Sequence, residues 1–429
     1  MRDYRITPKE CWQISLEERE ESHRRLLLAQ LQKATRKVPF YRSLRLPLED
    51  FHKSSLREIL QALPIVTKEM IRGRNPDFLS SPLPPGHWLK TGGSTGEPTE
   101  VYHDREQLRW GKESVEFARN WWGVKTGQKC FYIWGHSASL ASGWPGRKDR
   151  LLRPAKDFLR RRLRINAYRV DQDSLKDNVR RLIKFQPQMI IGYTSTIFLI
   201  AEQFLAEGHN PALLPKLGGV IVTADPCYPF QAELIQKAFG SPVIMEYGSV
   251  EVGAIAYSHP DGTFRVLEDR LLVETPSDSS EFPEIVVTDL SSQGQPLIRF
   301  SIEDQCQSPI TPPTDEQGYR LLGPIIGRVL DSISGKDGKR LHGVALSHIV
   351  NVSYPQVLRY QFFQDKYGKL KISLQLKGST PTDSNSEGRL LSYLTNELGP
   401  IPIEIFYVEN FPPTPSGKFR WVLSEMTQN

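Results

Sequence analysis

The sequence predicts an α/β fold: a large N-terminal domain of several subdomains, with βαβ sheets and a small β-rich piece, followed by a smaller, mobile α+β domain. Three observations predict it. From Asp104 to Tyr247 short apolar runs alternate with helical stretches, the rhythm of parallel βαβ units covered on both faces. From Arg265 onward strands follow one another with little helix between them. Near Gly327 the texture changes again, because Asp331 to Gly343 (DSISGKDGKRLHG) is polar and glycine-rich and introduces a tail with its own mixed pattern. The expected domains are 1–329 and 330–429.

The elements follow in order. Leu16 to Thr35 has helical spacing, with Leu26, Leu27, Leu28 and Leu31 among charges, and a Pro turn follows at Val38 to Arg42 (VPFYR). In Leu63 to Arg72 (LPIVTKEMIR), Thr67 stands where an N-cap belongs and Glu69 in the first turn. Asp104 to Trp122 reads as a long helix and Lys129 to Trp134 (KCFYIW) as a buried strand. The alternation continues with a helix at Leu175 to Phe185, a strand at Met189 to Gly192, a helix at Thr196 to Glu207 and a strand at Gly219 to Thr223 (GVIVT). A helix at Gln231 to Phe239 and a strand at Pro242 to Tyr247 close it. Strands are expected at Leu271 to Glu274, Glu284 to Thr288 and Pro296 to Phe300. In the tail, strands at Leu358 to Gln364, Lys369 to Leu376 and Ile403 to Val408 accompany a helix at Glu387 to Leu398.

Composition narrows the function classes. The 429 residues include 39% hydrophobic side chains, enough for real cores, and no apolar run nears the roughly 20 residues of a membrane span. No apolar stretch follows the charges of MRDYRITPKE as in a secretory signal, so the expected location is cytoplasmic. The four cysteines, Cys11, Cys130, Cys227 and Cys306, form no CxxC pair, which argues against a disulfide framework or zinc knuckle. Net charge is +6, with much of the excess in Arg147 to Arg164 (RKDRLLRPAKDFLRRRLR). Leu151, Leu152, Phe158, Leu159 and Leu163 recur there at helical spacing, so the run reads as a solvated helix face. No aromatic stacking pattern accompanies it, and no nucleic-acid partner is expected.

Five pieces carry chemistry. Thr91 to Pro98 (TGGSTGEP) is a run of small residues whose backbone N–H groups can approach an anion, with Ser94 and Thr95 as further donors. Gly96 is followed by Glu97, not by the Lys of a Walker loop, and alone such a cluster is more often a surface turn. Tyr247 to Glu251 (YGSVE) ends the last strand of the α/β region, where open sheets place ligands. It offers an aromatic face for a base, a tight glycine turn, a hydroxyl and a carboxylate for Mg²⁺, though alone it also reads as a strand-ending turn with a core tyrosine. Asp304, after PLIRF, can accept ribose hydroxyls, and Arg328 can bind hydroxyl or phosphate oxygens. Pro415 to Lys418 (PSGK) places a lysine on a glycine turn.

In this order, and with TADP at Thr223 to Pro226, these pieces resemble the adenylate-forming (ANL) superfamily, within it the phenylacetate-CoA ligase group and especially its CapK-like branch. VPFYR, LPIVTKEMIR, GYTSTIFLIAEQF from Gly192 to Phe204 and the GKFRWV ending support the resemblance, which covers essentially the whole chain. It implies a ligase that converts a carboxylic acid and ATP to an acyl-adenylate and pyrophosphate. By resemblance, Thr91, Gly92, Gly93, Ser94, Thr95 and Gly96 hold the β- and γ-phosphates, and Glu251 helps coordinate Mg²⁺. Tyr247 stacks on adenine, Ala224, Asp225, Pro226, Glu246 and Gly248 belong to the nucleotide pocket, and Ser249 lies near the α-phosphate. Asp304 and Arg328 grip the ribose, Lys418 bridges the attacking carboxylate and the α-phosphate, and His136, in WGHSASL, lines the acyl pocket or contacts the carboxylate.

Departures are visible. Glu303 stands where the family usually has Gly before the ribose Asp, and Leu330 occupies the usual charged pivot of the hinge. Val252 to His259 has no Cys, so no structural zinc is expected. The expected partners are a small carboxylic acid and an acceptor, either a thiol such as CoA, giving a thioester, or an amine, giving an amide. A catalytically silent nucleotide-binding homologue is a third reading, and monomer or homodimer is left open.

Overall fold

The central sheet grows outward from the strand Cys130–Trp134, whose apolar run is buried or half-buried on both faces, as parallel strands require. The computed structural model describes residues 6–90, 99–134, 154–167, 172–259, 262–276, 282–310 and 318–328, then 332–335, 339–342, 346, 349–350, 352–354, 356–376, 385–409, 411 and 421–426. Cys130–Trp134 pairs in parallel with Arg162–Asn166 on one side and Met189–Tyr193 on the other, and Val220–Thr223 and Val243–Ser249 extend the parallel run. Past Val243–Ser249 the pairing turns antiparallel, and Gly253–Ser258, Phe264–Val266 and Leu321–Leu322 complete eight strands.

The chain leaves Cys130–Trp134 for one neighbour and then crosses to the other, so strand order reverses beside Met189–Tyr193. A crevice opens beyond the carboxyl ends at such a point. The rings of Trp134 and Tyr193 stand there, centroids 5.1 Å apart. Close strand approach needs glycine nearby, because a Cβ on Gly192 would lie 2.3 Å from the Ile133 carbonyl oxygen.

Helices cover both faces. Gln172–Phe185, Thr194–Ala206 and Pro229–Phe239 bury Leu182, Ile197, Phe204 and Ile235 against Phe131, Ile133 and Val220. Arg105–Asn120, N-capped by Asp104, covers the other face, where Ala118 and Val124 meet Ile191, Ile221 and Tyr257. Leu16–Lys37 starts from a capping box of Ser15 and Glu18 and sends Leu27 and Leu31 into a third core with the β-rich strands Leu271–Glu274, Glu284–Asp289 and Phe300–Cys306.

Three expectations change. The strand expected over Pro296 to Phe300 starts where it was expected to end, at Phe300, and runs to Cys306. Pro296 offers no N–H and Arg299 is left-handed (φ 50°), its guanidinium drawn inward to the Leu63 carbonyl at 2.7 Å and to Glu274. The Arg147–Arg164 run is not one amphipathic helix: residues 154–159 are helical, Phe158 and Leu159 are about four-fifths exposed (82% and 80%), and Arg162–Asn166 is a strand. Finally, the glycine loop joins two strands of a hairpin, Gly86–Lys90 and Glu100–Asp104, paired from Gly86↔Asp104 to Lys90↔Glu100. Neither strand has a clear apolar alternation to announce it.

Contacts divide the chain at residues 325 and 326. In the second unit Val357–Gln364 and Leu370–Leu376 pair antiparallel, Val422–Ser424 and Ile403–Tyr407 flank them in parallel, and Ser386–Leu398 buries Leu390, Leu394 and Leu398. Among the described residues no helix is long and apolar enough to cross a membrane.

Candidate active site

Two turns at the carboxyl edge of the parallel strands bring the motifs together. After Val220–Thr223 the backbone reverses through Ala224, held left-handed at φ 72°, a conformation that L residues adopt at a cost. Asp225 secures it. Its carboxylate accepts from Ser195 Oγ at 2.8 Å and Ser195 N at 3.4 Å, and its carbonyl accepts from Thr194 Oγ1 at 2.9 Å. The Asp225 side chain is thereby tied to the start of the helix Thr194–Ala206, while Ala224 and Pro226 are exposed. This bond joins the Gly192–Phe204 segment to the TADP turn.

Val243–Ser249 carries the second group, with residues on alternating faces. Glu246 points to the face covered by Arg105–Asn120, where its carboxylate pairs with Arg119 at 2.9 Å and accepts from the Tyr257 hydroxyl. Its carbonyl accepts from Thr223 Oγ1. Burial raises the Tyr257 phenol well above its ordinary value, so it is a donor here. Tyr247, on the opposite face, donates to Asp304 Oδ2 at 3.0 Å. At Gly248 the pairing slips, and a Cβ there would lie 2.5 Å from the Gly253 carbonyl. Ser249 accepts weakly from Val252 N at 3.4 Å, closing the turn that presents Glu251.

Glu251 differs from Glu246 in what surrounds it. It is 3% exposed, its charge partner is Lys68 at 3.7 Å, and among the described residues its carboxylate accepts no hydrogen bond. A buried carboxylate so sparsely partnered suits a cation that is not a protein side chain. Mg²⁺ fits, since it takes few protein carboxylates and completes its shell with water and substrate phosphates. No group of three or more metal-ligating side chains occurs among the described residues.

Three residues that the sequence did not mark support this edge. Arg270, buried, donates to the carbonyls of Val252 at 3.0 Å and Ala254 at 2.6 Å and pairs with Asp289 at 3.3 Å. His103, at the end of the glycine-loop hairpin, faces the Val250 and Glu251 backbone, and burial lowers its imidazole below the ordinary value. Lys68, the first residue of the helix Lys68–Arg74, reaches the same place because Val66 bridges to the strand Phe300–Cys306. Their partners are distant in sequence, so only the composition of LPIVTKEMIR hinted at one of them.

Cysteine chemistry is not part of the arrangement. Burial raises all four thiols, Cys130 and Cys306 to about 11 and Cys227 to about 12. Arg328 ends the strand Ile325–Arg328, and its side chain is outside what the structure describes. Thr91, Gly92, Gly93, Ser94, Thr95, Gly96, His136 and Lys418 also lie outside the described residues.

Comparisons with known proteins agree with this architecture. Residues 333–425 match the family model of the CapK C-terminal domain. The chain is 24% identical over 370 residues to Protein CapK of Staphylococcus aureus, covering 86% of this chain and 80% of that one. Among solved structures, 2-hydroxyisobutyryl-CoA ligase in the postadenylation state with R3-HIB-AMP superposes with a TM-score of 0.71 at 17% identity, covering 96% of this chain and 90% of that one. The amide bond synthetase McbA from Marinactinospora thermotolerans gives 0.51 at 15% identity, over 77% and 66% of the two chains. At these identities the solved structures establish the fold.

Proposed function

We propose, from the premise that this chain is a CapK-like member of the adenylate-forming superfamily, that it activates a carboxylic acid with ATP and passes the acyl group to a thiol such as CoA. The observation that carries the reading is the carboxyl edge of the sheet. A buried, sparsely partnered Glu251 lies four residues from Tyr247, whose hydroxyl is bonded to Asp304 on another strand.

A carboxylate is a poor electrophile. Attack of its oxygen on the α-phosphorus breaks the bond to the bridging oxygen, releases pyrophosphate and leaves a mixed anhydride with AMP as leaving group. Tyr247 supplies a face for adenine, Asp304 and Arg328 take the ribose hydroxyls, and Thr91 to Gly96 receive the β- and γ-phosphates. Glu251 holds Mg²⁺, which when bound neutralises phosphate charge. Ser249 stands at the α-phosphate, with Ala224, Asp225, Pro226, Gly248 and the backbone of Glu246 framing the nucleotide pocket. His136, two positions after Trp134 in the sequence, lines the acyl pocket or contacts the carboxylate. Lys418 meets the negative charge that builds between carboxylate and α-phosphate.

An amine acceptor is the second reading, favoured by the likeness to an amide bond synthetase and to CapK. ATP–pyrophosphate exchange across a panel of carboxylic acids tests the activation step, and mass spectrometry with CoA and with amines decides the acceptor. Exchange with at least one acid is expected, falling about 10²-fold or more in Lys418→Ala while nucleotide binding persists. No exchange with any acid would leave a silent nucleotide-binding homologue.

A further inference from the structure

The Lys68 ammonium, buried at 4% exposure, lies between two carboxylates. It donates to Glu303 Oε2 at 3.2 Å and to the Ile302 carbonyl at 2.9 Å, with Glu251 Oε1 at 3.7 Å on its other side. Glu303 reaches this position from a left-handed backbone (φ 66°), the conformation that glycine adopts freely and that a Glu adopts at a cost. Its backbone N–H is held by Ser301 Oγ at 3.2 Å. The left-handed backbone is retained where a carboxylate meets the cation that, among the described residues, lies beside Glu251.

We propose that Lys68 and Glu303 set the affinity of Glu251 for its divalent cation, Lys68 as a competing built-in cation and Glu303 as the anchor that draws Lys68 away. The inference rests on the reading of Glu251 as the metal-holding residue of an adenylating site. The physics is a contest for one carboxylate. An ammonium at 3.7 Å lowers the negative potential that a divalent ion would feel, and in a buried setting this screening is weakly attenuated by water. Glu303 opposes it by supplying a second negative charge on the far side of the ammonium. Lys68 has three N–H donors and, among the described residues, gives two hydrogen bonds, to the Ile302 carbonyl and Glu303, while it meets Glu251 only at ion-pair distance. Both residues are positioning residues that act through Glu251.

The test is nucleotide-free, so that phosphate contacts cannot alter its sign. Mn²⁺ is titrated into the full chain and free Mn²⁺ is followed by its EPR signal, with Glu251→Gln as the blank for other sites. Lys68→Met is expected to tighten binding about tenfold and Glu303→Gln to weaken it several-fold, with the double variant closer to Lys68→Met than to wild type because no ammonium is left to anchor. Glu303→Gly is expected to weaken Mn²⁺ binding equally while its thermal midpoint holds or rises, because glycine relieves the left-handed backbone. Weaker or unchanged binding in Lys68→Met overturns the proposal, as does loss of both binding and thermal stability in every variant, which marks a merely structural pair. Wild type and Glu251→Gln binding Mn²⁺ equally would instead remove the metal role of Glu251 and the site reading with it. A wild type that exceeds the blank, with Lys68 and Glu303 variants matching it, sinks this inference alone.

Discussion

Glu246 and Glu251 are five positions apart in one segment, one in the strand Val243–Ser249 and the other in the turn that follows, and their surroundings are opposite. Glu246 meets Arg119 at 2.9 Å and the Tyr257 hydroxyl, both at Oε2, with Thr223 on its carbonyl, so its charge is already matched by a protein cation. Glu251 is buried more deeply, yet has an ammonium at 3.7 Å and no hydrogen bond from a described residue. Carboxylates bonded by internal donors hold a fold together, whereas a buried one that accepts none is held ready for a ligand. The slip at Gly248 lies between the two, since the register with Gly253–Ser258 shifts there before pairing resumes at Gly248↔Ala254 and Ser249↔Gly253.

The largest expected effect breaks the comparison on the Glu246 side. Glu246→Gln leaves the mostly buried Arg119 guanidinium without its counter-charge, which is expected to cost about 3–5 kcal/mol in denaturant unfolding. Exchange activity per folded molecule is expected to persist with an ordinary KM for ATP. A raised KM without lost stability would place the Glu246 carboxylate in the nucleotide pocket instead. Next in size, Glu251→Gln is expected to lower ATP–pyrophosphate exchange about 10²-fold while the thermal midpoint holds or rises, because a buried charge short of partners is removed. Unfolding of this variant at lower temperature would make Glu251 a structural residue like its neighbour.

Much of the fold is legible in the sequence because its signals are local. The capping box of Ser15 and Glu18, the Thr67 cap and the β-branched run Val220–Thr223 each announce themselves within a few residues. The site is only half legible. YGSVE and Asp304 stand out by residue type, but what Glu246 does is decided by Arg119, 127 positions away, and the charge beside Glu251 comes from a lysine bonded 234 positions downstream at Ile302. Pattern fails most where backbone conformation departs from residue preference. Left-handed Arg299 and Glu303 move the β-rich strand so that it runs from Phe300 to Cys306, and Asp304 lies within the strand, not beyond it.

The smallest expected effect concerns the bond between Tyr247 and Asp304, which joins the surroundings of Glu251 to the ribose side of the site. Tyr247→Phe keeps the ring, its edge contact with Phe264 at 6.2 Å and its face for a base, and removes only the hydroxyl that donates to Asp304 at 3.0 Å. A hydrogen bond of this kind contributes about 1 kcal/mol, so the KM for ATP is expected to rise about fivefold with kcat little changed. Tyr247→Ala also removes the stacking face, worth about 1–3 kcal/mol, and is expected to raise KM further. Equal KM values for the Phe and Ala variants would mean that the ring does not touch the base and that Tyr247 serves only to orient Asp304. If the Phe variant matched wild type, the hydroxyl would be a bystander to nucleotide binding.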